Sequence, residues 1–123
     1  MLRNKMILTE KEREAVGEIR QVLIERARVR GTIPYLELVQ KVQATRLVPR
    51  SPRLAHMLGL ISSDEAKKGR GMLTAVVVRK NGAMEPGPGF YKLAKSLGRR
   101  ASDPRECWLR ELKRIYTYWR EKP

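Results

Sequence analysis

The chain has 123 residues, 41% of them hydrophobic, and carries 27 Lys and Arg residues against 13 Asp and Glu residues. This length and apolar content exclude a disordered polycation, and we expect a single domain over residues 1–123. The formal net charge of +14 indicates a polyanionic partner, and nucleic acid is the first candidate. No apolar run approaches the roughly 18 residues of a membrane span, and Met6-Ile7-Leu8 is too short for a signal-peptide core. With a single cysteine and no membrane segment, we expect a cytoplasmic protein.

The first predicted element is a helix over residues 10–29. Thr9 followed by Glu12 is typical of a capping box at a helix start. Apolar residues then recur at helical spacing as far as Ala27, and Gly31 ends the pattern.

A helix–turn–helix is predicted over residues 32–61. Thr32 is expected to cap a second helix over residues 33–43, and Ser51-Pro52 is typical of the start of a third, over residues 52–61. The apolar residues expected in the core are Leu36, Val39 and Val42 of the second helix and Leu54, Met57, Leu58 and Ile61 of the third.

A β-hairpin wing is predicted over residues 72–89. Leu73 to Arg79 contains three consecutive valines and is typical of a buried strand. Lys80-Asn81-Gly82 is typical of a turn, and Pro86-Gly87-Pro88-Gly89 cannot continue regular structure.

Two helices complete the chain, over residues 90–98 and 103–121. Gly98 ends the first, and Asp103-Pro104 is typical of the start of the second. We expect the apolar stripe of the last helix to be core, although its aromatic residues also suit base stacking or a partner surface. The stripe consists of Trp108, Leu109, Leu112, Ile115, Tyr116 and Trp119. The predicted fold is therefore α+β and mostly helical, a winged helix–turn–helix with an added C-terminal helix.

The third helix is the candidate recognition helix, because a helix N-terminus in a groove meets phosphates and base edges. Its candidate contacts with nucleic acid are Arg50, Ser51, Arg53 and His56. The alternative is that these residues simply form a solvent-exposed face of the helix. Arg79 and Lys80 at the end of the strand are candidate backbone contacts, or else part of an ordinary basic turn. The Tyr35 hydroxyl either contacts a phosphate or belongs to a partly buried aromatic.

No catalytic site, metal site or cofactor is predicted. The chain has one histidine and one cysteine, His56 and Cys107, which lie on separate predicted helices with no second soft ligand near either. No phosphate-binding glycine motif follows a strand.

Residues 32–98 resemble the C-terminal winged-helix domain of the alkylguanine-DNA alkyltransferases and alkyltransferase-like proteins. The resemblance rests on the element order, on Ile33-Pro34-Tyr35-Leu36-Glu37-Leu38 and on Ala55-His56-Met57-Leu58-Gly59. It implies that Tyr35 opens the first helix of the motif and that His56 stands where the family has its arginine finger. The segments 73–97 and 108–119 also resemble small uncharacterised prokaryotic or phage proteins.

The resemblance implies a DNA-facing surface without alkyl transfer. The family's Pro-Cys-His-Arg-Val-Val strand corresponds to Leu73-Thr74-Ala75-Val76-Val77-Val78, with Gly82 at the turn. The alkyl-accepting cysteine is therefore Thr74 here, its histidine Ala75 and its arginine Val76.

The expected function is non-catalytic binding of duplex DNA, in the nucleoid. The alternative is a small basic interaction protein, a phage or defence modulator or a ribosome-associated protein, that docks on an acidic protein or on RNA. An enzyme with an unrecognised site is a third hypothesis. Target specificity and oligomeric state do not follow from the sequence.

Overall fold

The structure, a computed structural model, describes residues 7–80 and 84–120. It is mostly helical with a small two-stranded parallel sheet, which agrees with the predicted α+β, mostly helical class. The helices are α1 (Glu10–Arg28), α2 (Tyr35–Gln40), α3 (Pro52–Lys67), α4 (Pro88–Ser96) and α5 (Pro104–Arg120). The strands are β1 (Ile33–Pro34) and β2 (Val77–Val78), and a 3₁₀ turn spans Leu73–Val76. None of the helices in this part of the chain is both long enough and apolar enough to cross a membrane.

The sequence signals at three helix starts are confirmed. In the capping box of α1, the Thr9 amide donates to Glu12 over 2.8 Å and the Glu12 amide donates to the Thr9 hydroxyl over 3.1 Å. Ser51 accepts from the amide of Leu54 at the start of α3. Asp103 accepts from the amide of Glu106 at the start of α5. Each bond satisfies an amide that the helix itself leaves unpaired, so these side chains set where the chain enters a helix.

The core lies around the 3₁₀ turn, which packs against α1, α3 and α5. All four residues of the turn are buried. Trp108 of α5 donates its indole N–H to the Ala75 carbonyl over 2.8 Å, which satisfies a backbone group that the short turn leaves free. Glu111, also buried on α5, accepts from the amide of Met72 over 3.0 Å.

The prediction of a strand over Leu73 to Arg79 was wrong for its first half. Residues 73–76 form the 3₁₀ turn, and only Val77 and Val78 pair, in parallel, with Ile33 and Pro34. In a short buried apolar run, the spacing of polar and apolar residues cannot distinguish a strand from a helical turn. The burial of residues 73–76 was therefore predicted correctly, and their backbone conformation was not. The described residues contain no antiparallel strand pair of the kind a β-hairpin wing needs. Part of the predicted Lys80-Asn81-Gly82 turn lies outside the described residues.

The second helix begins later and ends earlier than predicted. Ile33 is buried and paired in β1, so the helix starts at Tyr35 after Pro34, and Thr32 does not cap it. Leu36 is 56% exposed, because it lies about 200° around α2 from the buried Leu38.

Leu109 on α5 was also expected in the core and is 46% exposed. It lies about 100° around the helix from Trp108, outside the buried stripe. The stripe is instead completed by Cys107 and Glu111.

Helix α3 extends six residues beyond its predicted end, because two polar positions of its last turns are satisfied inside the protein. Glu65, 1% exposed, forms ion pairs with Arg20 of α1 and with Arg70 just beyond α3. Ser62 is buried within 2.5 Å of the Thr74 hydroxyl. Ser62 and Glu65, which lie beyond the predicted end of the helix, are thus part of the buried face of α3.

Helix α4 begins at Pro88, two residues earlier than predicted, since proline suits the first turn of a helix. Gly98, at φ 82°, follows its end as predicted. Helix α5 is described as far as Arg120, so the last residue of the predicted 103–121 helix lies outside the described residues.

Candidate nucleic-acid interface

An open cavity of about 730 Å³ lies between the N-terminal half of α3 and the start of α4. Apolar side chains form most of its wall, and three cationic side chains and one histidine lie around it. The apolar members include Leu54, Leu58, Pro88, Phe90 and Leu93, the cationic ones are Arg50, Arg79 and Lys92, and the histidine is His56. No described carboxylate lines the cavity.

Four of the seven predicted contact residues line this cavity: Tyr35, Arg50, His56 and Arg79. They come from three separate segments of the chain, so the tertiary structure brings them together. Ser51, Arg53 and Lys80 do not line it. Lys80 is exposed at the end of the strand segment, next to residues outside the described part.

Arg79 differs from most of the half-buried arginines. Its Nε is buried and has no hydrogen-bond partner among the described residues. Arg20, Arg70 and Arg99, by contrast, each meet a buried or partly buried carboxylate. A buried donor without a partner is costly, by about 1–3 kcal/mol, which makes this position suited to an anion supplied from outside.

Arg50 occupies the left-handed backbone region, at φ 63°, directly before the N-cap of α3. This conformation costs an ordinary side chain roughly 1–2 kcal/mol relative to the right-handed one. Glycine or asparagine would occupy it with less strain, and Arg30 and Met84 share this conformation.

Tyr35 joins α2 to the loop before α4. Its hydroxyl oxygen lies 3.4 Å from the amide nitrogen of Gly87, which donates to it. A side chain at Gly87 would stand 3.4 Å from the same oxygen, so this small residue lets the loop approach Tyr35.

Ser51 and Arg53 have structural partners. Ser51 caps α3, and the Arg53 guanidinium pairs with Glu12, its Nε donating over 2.5 Å. A second donor of Arg53 reaches the Ile7 carbonyl over 2.8 Å. The pair links the start of α1 to the start of α3, the candidate recognition helix.

The Arg53 guanidinium lowers the pKa of Glu12 from its ordinary 4.5 to about 2. Because the folded pKa lies below the unfolded one, the pair stabilises fully above about pH 4.5, and the contribution is lost as the pH falls towards 2. We expect a carboxyl NMR titration to find Glu12 as a strongly depressed group. In the Arg53→Gln variant its pKa should rise towards 4.5, and an unchanged value would contradict the pairing.

Thr74 lines the cavity and is 7% exposed. Its hydroxyl lies within 2.5 Å of Ser62, and its amide donates to the Ser62 hydroxyl over 3.0 Å. The side chain therefore holds the 3₁₀ turn against α3.

Replacing Thr74 by valine is expected to lower the free energy of unfolding by about 1–2 kcal/mol, since it leaves the buried Ser62 hydroxyl short of a partner. Urea unfolding of Ser62→Ala, Thr74→Val and the double variant measures the coupling. We expect the double variant to lose less than the sum, with a coupling of about 1 kcal/mol. Strict additivity would show that the two hydroxyls do not interact.

Sequence reasoning missed Lys92, Phe90 and the part that residues 87–89 play in the cavity. The signal was present in Pro86-Gly87-Pro88-Gly89, which places small residues at the start of a helix that carries a lysine one turn on. From the sequence alone this segment indicated only a rigid turn, because the position of α3 opposite it is a feature of the tertiary structure.

The described residues contain no group of three His, Cys, Asp or Glu side chains placed to hold a metal ion. Comparisons of the chain with models of protein families, with curated proteins and with solved structures found no match.

Proposed function

We propose that this protein binds duplex DNA without catalysis, through a helix–turn–helix made of α2 and α3. The N-terminal turn of α3 would enter the major groove, and the loop that follows Arg79 would contact the backbone as a wing. The Arg79 amide donates to the Glu85 carbonyl over 2.9 Å, which closes the base of this loop. We further propose a nucleoid location in the cytoplasm.

The proposal rests above all on three cationic side chains and a histidine around a cavity that no described carboxylate lines. Arg50 and His56 belong to the start of α3, Arg79 follows β2, and Lys92 lies on α4. Elsewhere seven described basic residues are neutralised by ion pairs, among them Arg20 and Arg70. An uncompensated cationic surface beside a helix N-terminus suits phosphates, which supply most of the affinity of such complexes.

Within this proposal, Arg53 supports the recognition helix. Its guanidinium is held by Glu12, and its side chain remains 40% exposed. Arg53 therefore sets the angle of α3, while Arg50 and His56 are the candidates for direct contact with DNA.

No chemical step is included in the proposal. The position that would carry an alkyl-accepting thiol is Thr74, whose hydroxyl is committed to Ser62. Cys107, on α5, is buried, and burial raises the pKa of its thiol.

Fluorescence anisotropy on a labelled duplex of random sequence, across a salt series, tests the proposal. We expect log K to fall linearly with log salt, with a slope of about −0.9 for each phosphate contacted. An RNA hairpin and a single strand of equal length serve as competitors. Tighter binding to either RNA or single strand would overturn the duplex assignment, and no binding at low salt would redirect the search to an acidic protein partner.

A further inference from the structure

We propose that the cavity beside α3 is also a binding site for a small molecule with a flat apolar body and one anionic head. Aromatic carboxylates and aryl phosphates share this chemistry. The inference concerns a ligand other than DNA, and binding of the ligand alone does not depend on the proposed function.

The cavity has the size and wall of a small-molecule site. Its volume of about 730 Å³ lies within the ~300–1,000 Å³ usual for such sites. Leu58 of α3 and Phe90 of α4, each 7% exposed, line it from opposite sides. A groove that held only a phosphate backbone would not need this apolar depth.

The anionic head has a defined place. Arg79 borders the cavity with a buried Nε that has no hydrogen-bond partner among the described residues. Lys92 also lines the cavity, and helix α4 begins there at Pro88, after Gly87, with no side chain capping its N-terminus. A carboxylate or phosphate at this point would give Arg79 a charge-assisted hydrogen bond and meet the positive end of the helix, whereas a neutral amide oxygen would make only an ordinary hydrogen bond.

The same site connects the ligand to DNA binding. Arg50 and His56 border the cavity and are also the direct contacts of the proposed DNA surface. An occupant would neutralise part of this surface and stand in the way of the backbone. If the proposed function holds, the ligand and duplex DNA therefore compete.

Isothermal titration calorimetry without DNA tests the site, with 1-naphthoate as the probe and neutral 1-naphthamide as its matched control. We expect 1:1 binding of naphthoate, about 10–100-fold tighter than the amide, because the charge-assisted bond to Arg79 is made only by the anion. 1-Naphthyl phosphate distinguishes a phosphate from a carboxylate preference. Equal affinity for naphthoate and naphthamide, or inorganic phosphate binding as tightly as naphthyl phosphate, would overturn the proposal.

Two variants locate the probe. Arg79→Met should remove the preference for naphthoate over naphthamide, and Ala55→Trp should abolish binding of both, since Ala55 is exposed and lines the cavity. Lys113→Gln, an exposed position on α5, is the matched control. Circular dichroism verifies that each variant is folded. Unchanged naphthoate binding in folded Ala55→Trp would place the ligand elsewhere and refute the site.

Competition in the anisotropy assay separates the two proposals. Displacement of duplex by naphthoate in wild type, and its absence in Ala55→Trp, would support both. Naphthoate binding without any DNA affinity would leave the site standing and remove the proposed function. DNA binding without naphthoate binding would support the proposed function and refute the small-molecule site.

Discussion

Replacement of Glu65 by alanine is expected to lower the free energy of unfolding by about 3 kcal/mol. Glu65 is 1% exposed and is the shared partner of Arg20 and Arg70, so its removal leaves Arg70 without its carboxylate and Arg20 with Asp64 alone. We place the loss at the lower end of the range for broken buried pairs, because the arginine side chains retain 28% and 22% exposure. Thermal unfolding should show a drop of roughly 10 °C.

Two further variants test the cause of this loss. Glu25→Ala, at an exposed position on α1, should change the free energy of unfolding by less than about 0.5 kcal/mol. The triple variant Arg20→Met, Glu65→Leu, Arg70→Met should recover much of the loss, since an apolar replacement of all three groups leaves no charge unpaired. A Glu65→Ala protein as stable as wild type would show that the ion network contributes nothing.

The double variant Arg50→Gln, Arg79→Gln is expected to bind duplex DNA at least about tenfold more weakly at physiological salt. Each lost phosphate contact should reduce the salt slope by about 0.9, so the slope should fall by about 1.8 in all. Neither residue forms an ion pair among the described residues, and both line the cavity. The variant should therefore remain folded while it loses affinity.

A matched control carries the same change in net charge. Lys67→Gln, Lys113→Gln removes two exposed lysines, one at the far end of α3, about 24 Å from its start, and one on α5. If general charge governed binding, both double variants would weaken it equally. A comparable loss in the two proteins would contradict the docking through α3.

Much of the helical framework was predictable because its determinants are local. The Thr9–Glu12 box, Ser51 before Pro52 and Asp103 before Pro104 each act within one turn of the residue they cap. Their bonds are made wherever the helix forms, so no knowledge of the tertiary structure was needed to place α1, α3 and α5. The sequence also indicated four of the residues that line the cavity, through the charge and position of Tyr35, Arg50, His56 and Arg79.

The conformation of residues 73–76 could not be predicted in the same way. Leu73 to Val78 is apolar except for Thr74, and its packing among α1, α3 and α5 makes the first half a 3₁₀ turn. The burial of Glu65 near the end of α3 depends on tertiary structure in the same way, because its partner Arg20 lies 45 positions earlier in the chain.

The positive charge, the helix starts and the burial of the valine run follow from the amino-acid sequence, since composition, capping and hydrophobicity act over short stretches of chain. Folding then sets which basic residues are neutralised and which remain available. Arg53 is held by Glu12, whereas Arg79 has a buried donor without a partner beside an apolar cavity. The physical reason is that an ion pair depends on the distance between two groups in space, which residues far apart in the chain acquire only on folding.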